Sequence, residues 1–215
     1  MTLPEQPPET PLSAPRRART RDTLIEIATT VVLAVVLYMV IQTFVVQTYR
    51  VEQHSMEPTL VGDQHLLIDK LTPRFDDYSR GDIIVFHAPD LPPDATPYIK
   101  RVIGVGGDHV ALKDGQVYVN GAKLDEPYIS PEGPTLPLTD QTTWDVPTGS
   151  LFVMGDHRTA STDSREFGTV PVASVIGRAW LRFWPANTLT ILQTPTYPNV
   201  PLAPATPTTK ASPTP

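Results

Sequence analysis

Residues 27–49 form 23 consecutive positions without a charge, and 31–41 within them are apolar without a break. As a helix rising 1.5 Å per residue, such a stretch is about 34 Å long, enough to cross a hydrocarbon layer of about 30 Å with slight tilt. It is too long for the apolar region of a cleavable signal peptide, and no small-x-small site follows it. The expectation is therefore a signal anchor over residues 24–49. A core helix of a soluble protein is the blander alternative, but such helices rarely run so far without a charge.

After residue 50 the texture changes to short β-type runs. Residues 64–69, 82–87 and 98–105 are brief apolar stretches punctuated by Gly and Pro. Residues 109–124 read as a hairpin, with Asp114–Gly115 supplying the turn and Asn120–Gly121 a second one. A Pro-rich loop at 130–140 precedes strands at 151–154 and 174–183. Nothing beyond residue 50 has the pattern of a long amphipathic helix. The pattern predicts a mainly β ectodomain over 50–185, Greek-key or barrel-like in its antiparallel sheets, with a small β subdomain inserted at 106–150.

Composition sharpens the two ends. The 25 prolines crowd the first 15 residues and the last 30 or so, so a disordered N-terminal region (1–23, including an arginine cluster) and a Pro/Thr-rich tail (186–215) are expected. Arg16, Arg17, Arg19 and Arg21 precede the span and only Arg50 soon follows it. That asymmetry predicts a single pass with a cytoplasmic N-terminus and an extracytoplasmic β domain, in the cytoplasmic membrane. A net charge of −6 gives no basic footprint for a nucleic-acid partner. With no cysteine in the chain, thiol catalysis, cysteine zinc sites and disulfides are excluded.

Three polar stretches could carry chemistry. The first is His54-Ser55-Met56-Glu57-Pro58-Thr59-Leu60, where Ser55 is a candidate nucleophile that still needs a base. The second is Tyr98-Ile99-Lys100-Arg101-Val102-Ile103-Gly104. Lys100 lies there among apolar β-formers, and desolvation lowers a lysine pKa toward the range a general base needs. The third runs from Gly155, Asp156, His157 and Arg158 to Ser161, Asp163, Ser164 and Arg165, a loop dense in short hydrogen-bonding side chains. Each has an ordinary reading too: a surface turn serine, a strand lysine whose head snorkels to water, a solvated charged turn.

Together, and in this order, the stretches resemble the boxes of the bacterial type I signal (leader) peptidases. Gly81-Asp82-Ile83-Ile84-Val85-Phe86 matches a further box, and the similarity covers about residues 24–185. The resemblance implies a serine endopeptidase with Ser55 as nucleophile and Lys100 as general base, removing signal peptides from exported precursors at the bilayer. It implies a hydrogen bond from Ser161 to the lysine and an ionic cluster of Arg101, Asp163 and Arg165. It implies no metal or cofactor, and a preference for Ala-x-Ala sequences. Gln53 stands where some relatives place a serine that donates to the oxyanion hole, so its amide is a candidate donor here. The stretch between the lysine box and the last box is short, and one span is evident where some relatives have two.

Chain length bears on the same reading. Six residues separate Tyr49 from Ser55, at most about 20 Å of extended chain, so Ser55 is expected close to the outer membrane surface. Other constellations fit less well. His157 beside Asp156 is not a triad, whose members converge in space rather than in sequence. The histidines lack the spacing of a zinc motif, and Gly104, Gly106 and Gly107 do not open a helix of a βαβ unit. Pro58 stands where a Ser-x-x-Lys motif would have its lysine. Two other classes remain: a self-cleaving Ser–Lys regulatory protease, which the membrane span disfavours, and a non-enzymatic anchored β domain.

Overall fold

The computed structural model describes residues 16–202 apart from 72, 74, 90 and 93, and the side chains from 22 onward. The Pro-rich lead (1–15) and the last residues of the tail (203–215) lie outside the described residues. The chain divides into two units, at Thr43 and Phe44. The first is made by helix α1, Arg16–Phe44. Its stretch Asp22–Phe44 is long and apolar enough to cross a membrane, and none of it is buried by protein. An α-helix satisfies its own main chain, which a bilayer core demands. Thr29 and Thr30 conform: their hydroxyls donate to the carbonyls of Ile25 and Glu26, one turn earlier, at 2.8 and 2.9 Å.

Both expected limits of the anchor are corrected. The helix begins inside the arginine cluster, so 16–23 are helical rather than disordered. It also stops at Phe44, and Val46–Arg50 form strand β1. An uncharged run does not tell helix from strand, and β-branched Val45, Val46 and Thr48 suit an extended chain. The tether from the helix end to Ser55 thus grows to eleven residues, at most about 36 Å.

The second unit is mainly β. β1 pairs with β2 (His65–Asp69), then come β3 (Ile83–Phe86) and β4 (Tyr98–Val105). A four-stranded sheet follows, made of β5 (His109–Lys113), β6 (Gln116–Val119), β7 (Ala122–Lys123) and β8 (Thr143–Asp145), in the order β7-β6-β5-β8. Asp114 (φ 53°) and Gly115 (φ 74°) close the β5–β6 hairpin, and Asn120 (φ 51°) and Gly121 (φ 81°) close β6–β7. Both turns need positive φ at two positions, which Asp-Gly and Asn-Gly tolerate best. The chain then returns through β9 (Ser150–Met154), the one-turn helix α2 (Ser164–Phe167), β10 (Val170–Pro171), β11 (Val175–Trp184) and β12 (Thr190–Ile191).

The large sheet is a curled half-barrel in the order β1-β2-β11-β3-β4-β9-β10, with β12 beside β11 and every pairing antiparallel. It stays open between β1 and β10 rather than closing. Strand β3 is buried at all four positions and β4 at its six inner ones, as the middle of a sheet covered on both faces requires. Val51, Met56 and Leu60 pack with Leu66, Ile68, Ile83, Ile99 and Ala179, which seats the Ser55 turn on the large sheet.

The tail is the third correction. Residues 186–202 are built into the body: β12 pairs with β11, and Val200, 6% exposed, lies in the core that the small sheet shares with Ile103 and Phe152. Proline-rich composition concealed this, because the contacts are long-range and leave no local periodicity.

Candidate active site

The Ser55 turn is held by its own chain and by the core. Leu60 N donates to Met56 O at 2.9 Å, Glu57 N donates to His54 O at 3.1 Å, and the side chains of Met56 and Leu60 are fully buried. Ser55 itself is 4% exposed. From the far side, His157 N donates to the Ser55 carbonyl at 3.0 Å. Gly155 allows this approach, since a Cβ there would overlap both that carbonyl and Ser161 Oγ.

Lys100 lies on β4 opposite Ile84 of β3 and is 1% exposed. Its Nζ is 2.8 Å from Ser55 Oγ and 4.8 Å from the centre of the Tyr98 ring. Burial pushes the amine down from 10.5 to about 8; the Asp163 carboxylate partly offsets this and Arg165 adds to it. A cavity of about 450 Å³ opens onto the pair, lined also by Glu52, Gln53, Tyr98 and Thr162. A larger hollow, about 640 Å³ and bordered by Tyr78, Arg80 and Tyr197, holds no member of it.

Asp163 gathers the surrounding loop. Its carboxylate accepts from Gly155 N (3.0 Å), Ser161 Oγ (2.8 Å), and Nε and Nη2 of Arg165 (both 2.8 Å). Arg165 also donates to the carbonyls of Leu136, Arg158 and Ser161. Arg158 pairs with Glu126 and donates to Thr135 Oγ1 at 2.8 Å.

Two implied contacts are not made as expected. Arg101 takes no part in the Asp163–Arg165 pair. Its guanidinium binds Asp156 in a two-pronged pair (Nε–Oδ1 2.8 Å, Nη2–Oδ2 2.6 Å) and donates to the Gly81 carbonyl at 2.8 Å. Successive side chains of a strand leave by opposite faces, so a lysine aimed at Ser55 sends its neighbour elsewhere. Ser161 donates its hydroxyl to Asp163, two residues on, at 2.8 Å, while Lys100 Nζ bonds Ser55 Oγ instead. Asp163 therefore influences Lys100 through charge rather than through a serine bridge.

Gln53 is half-buried at the cavity wall. The His157 ring is 2.8 Å from Glu132 Oε2, so this residue meets Ser55 only through its main chain. Sequence reasoning missed Thr59, whose hydroxyl donates to Asp156 Oδ2 at 2.5 Å, and Tyr128, whose ring lies 3.9 Å from the Arg101 guanidinium carbon. The period-two alternation of β4 could have separated Arg101 from Asp163; no local signal marks Tyr128.

Residues 24–184 match the family described as signal peptidase, peptidase S26. The chain belongs to that family. The peptidase is 39% identical to a probable signal peptidase I-2 of Synechocystis over 178 residues, covering 80% of this chain and 78% of that one. It is 40% identical to signal peptidase I of Bacillus caldolyticus over 164 residues (71% and 87%). Signal peptidase I of Mycobacterium tuberculosis is 38% identical over 232 residues (80% and 76%). A crystal structure of a signal peptidase I from Enterococcus faecalis shares 35% identity, with TM-score 0.39, over 48% of this chain and 97% of that one. The peptidase is thus a serine endopeptidase of a membrane-anchored family.

Proposed function

We propose that this peptidase removes signal peptides from exported precursor proteins with Ser55 as nucleophile and Lys100 as general base. The observation that carries the reading is the 2.8 Å approach of the buried Lys100 Nζ to Ser55 Oγ beside an open cavity. A serine hydroxyl is a weak nucleophile until a base takes its proton, and a lysine serves only when neutral. Neutral Lys100 accepts the Ser55 proton as Oγ attacks the carbonyl that ends the signal peptide. The C–N bond then breaks, with that proton passing to the leaving amine. Water hydrolyses the acyl-enzyme with Lys100 again as base. The Ser55 N–H and the Gln53 amide, which borders the cavity, are the donors we assign to the oxyanion.

The sign of the pH dependence follows from which form works. The neutral amine is the active one, so kcat/KM rises with pH, is half-maximal near 8, and levels off above. An unperturbed lysine would place the midpoint near 10.4. A pH–rate profile with no step below pH 10 would remove Lys100 as the base.

For orientation we take the arginine asymmetry: N-terminus in the cytoplasm, β domain outside, in the cytoplasmic membrane. One experiment addresses substrate and orientation together. A precursor with an Ala-x-Ala site, inserted into membranes that carry the peptidase, is expected to be cut after the second alanine. A tag placed before Leu24 should meanwhile resist protease added outside. An uncut precursor would overturn the substrate reading, and a digested tag would overturn the orientation.

A further inference from the structure

Beyond residue 184, where the match to the family's model ends, residues 194–201 run as a strap joining the two sheets. Thr194 Oγ1 donates to Asp82 Oδ1 at 2.8 Å, just before β3. Pro195 presses on Gly81 (φ 94°), where an added Cβ would stand 2.8 Å from Pro195 Cδ. Asn199 Nδ2 donates to the Lys123 carbonyl on β7 at 2.8 Å, and the Pro201 carbonyl accepts from Arg80 (3.1 Å) and Asn120 (3.0 Å).

Between these anchors, the Tyr197 hydroxyl lies 2.9 Å from that of Tyr128. Burial raises both phenols, Tyr197 to about 12, so both stay protonated at neutral pH. The Tyr128 ring supports the Arg101 guanidinium, which is also held by the Gly81 carbonyl under Pro195. Arg101 follows Lys100 on β4. Its partner Asp156 accepts from Thr59 in the Ser55 turn and stands next to His157, whose N–H holds the Ser55 carbonyl. The strap thus touches two of the supports of Arg101, Tyr128 and Gly81, and Arg101 with Asp156 ties the lysine strand to the serine turn.

We infer that Tyr197 is a positioning residue for the Ser55–Lys100 pair, acting through Tyr128 and the Arg101–Asp156 ion pair. The inference rests on the dyad reading above. The Tyr128 hydroxyl has two partners, Tyr197 at 2.9 Å and Glu126 Oε1 at 3.3 Å, and the shorter bond, to the strap, holds the ring against Arg101. Losing it lets the ion pair shift while the strap keeps its other anchors. A displacement well under 1 Å between nucleophile and base affects turnover before it affects substrate binding.

The test uses the full chain reconstituted in lipid vesicles and a peptide substrate with an Ala-x-Ala site, comparing wild type, Tyr197→Phe, Tyr128→Phe and the double variant. Each single variant is expected to lose about three- to tenfold in kcat with KM within about twofold. The double variant should be no worse than Tyr128→Phe, which removes the bond to Tyr197 together with that to Glu126. The midpoint of the pH–rate profile should move upward as Lys100 becomes better solvated. Melting curves set an assay temperature at which every variant is folded. Wild-type kcat and pH midpoint in Tyr197→Phe would overturn the inference, as would a loss carried by KM or losses that multiply in the double variant. Ser55→Ala in the same assay keeps the two readings apart. Its activity would refute the dyad; an inert Ser55→Ala beside a fully active Tyr197→Phe would refute the strap alone.

Discussion

Ser55→Ala and Lys100→Ala are each expected to reduce precursor cleavage to background, and the double variant to be no worse than either. Nucleophile and base act on one proton, so their losses do not add; single knockouts in such units cost on the order of 10⁶-fold. Lys100→Arg should be equally inactive, because a guanidinium does not deprotonate near neutral pH. Lys100→Met adds a readout that separates chemistry from folding. With a folded pKa of about 8 against about 10.4 unfolded, the native state binds the lysine proton less tightly than the unfolded chain. Lys100 therefore lowers stability by about 3 kcal/mol below pH 8, and the penalty fades as pH rises toward 10.4. Lys100→Met should melt higher than wild type at pH 7 while being inactive. Substantial cleavage by either alanine variant would defeat the mechanism. Gln53→Ala belongs in the same assay, with an expected loss of about 10²-fold in kcat and unchanged KM. A loss below about threefold would leave the oxyanion to main-chain N–H groups.

Arg165→Leu should destabilise the β unit by about 3–5 kcal/mol, measured as a lowered denaturation midpoint. Asp163 is fully buried and Arg165 nearly so, and the pair is bidentate. Removing the cation leaves a carboxylate that water cannot reach. Domains are stable by only about 5–15 kcal/mol, so much of the margin would go. Arg50→Ala, which breaks an exposed pair with Asp63, should leave the midpoint within error. Equal effects at the two sites would mean that burial does not govern these ion pairs.

Periodicity made some of this visible in advance. The Asp114–Gly115 turn announces the β5–β6 hairpin, because few dipeptides tolerate positive φ twice. Lys100 between Ile99 and Val102 signals a desolvated amine. The ends of elements were harder. Residues 45–49 are uncharged whether helical or extended, and only pairing with β2 decides the matter. The resemblance pairs Arg101 with the wrong carboxylate, because its partner depends on which face of the sheet Asp156 reaches. Tyr197 and Val200 sit in a proline-rich stretch whose partners are distant in sequence, Tyr128 lying 69 residues from Tyr197, beyond any local pattern.

The pairing of β2 with β11 bears on the order in which the protein is made. The serine turn packs on a core that includes Ala179, and Arg182 donates to the Thr59 carbonyl across 123 positions of chain. Loops of that length close slowly. A nascent chain already carrying Ser55 and Lys100 still lacks the strand between β2 and β3, so the nucleophile has no floor until β11 is available. On the proposed dyad, proteolytic competence therefore waits for β11, which is synthesised after both Ser55 and Lys100.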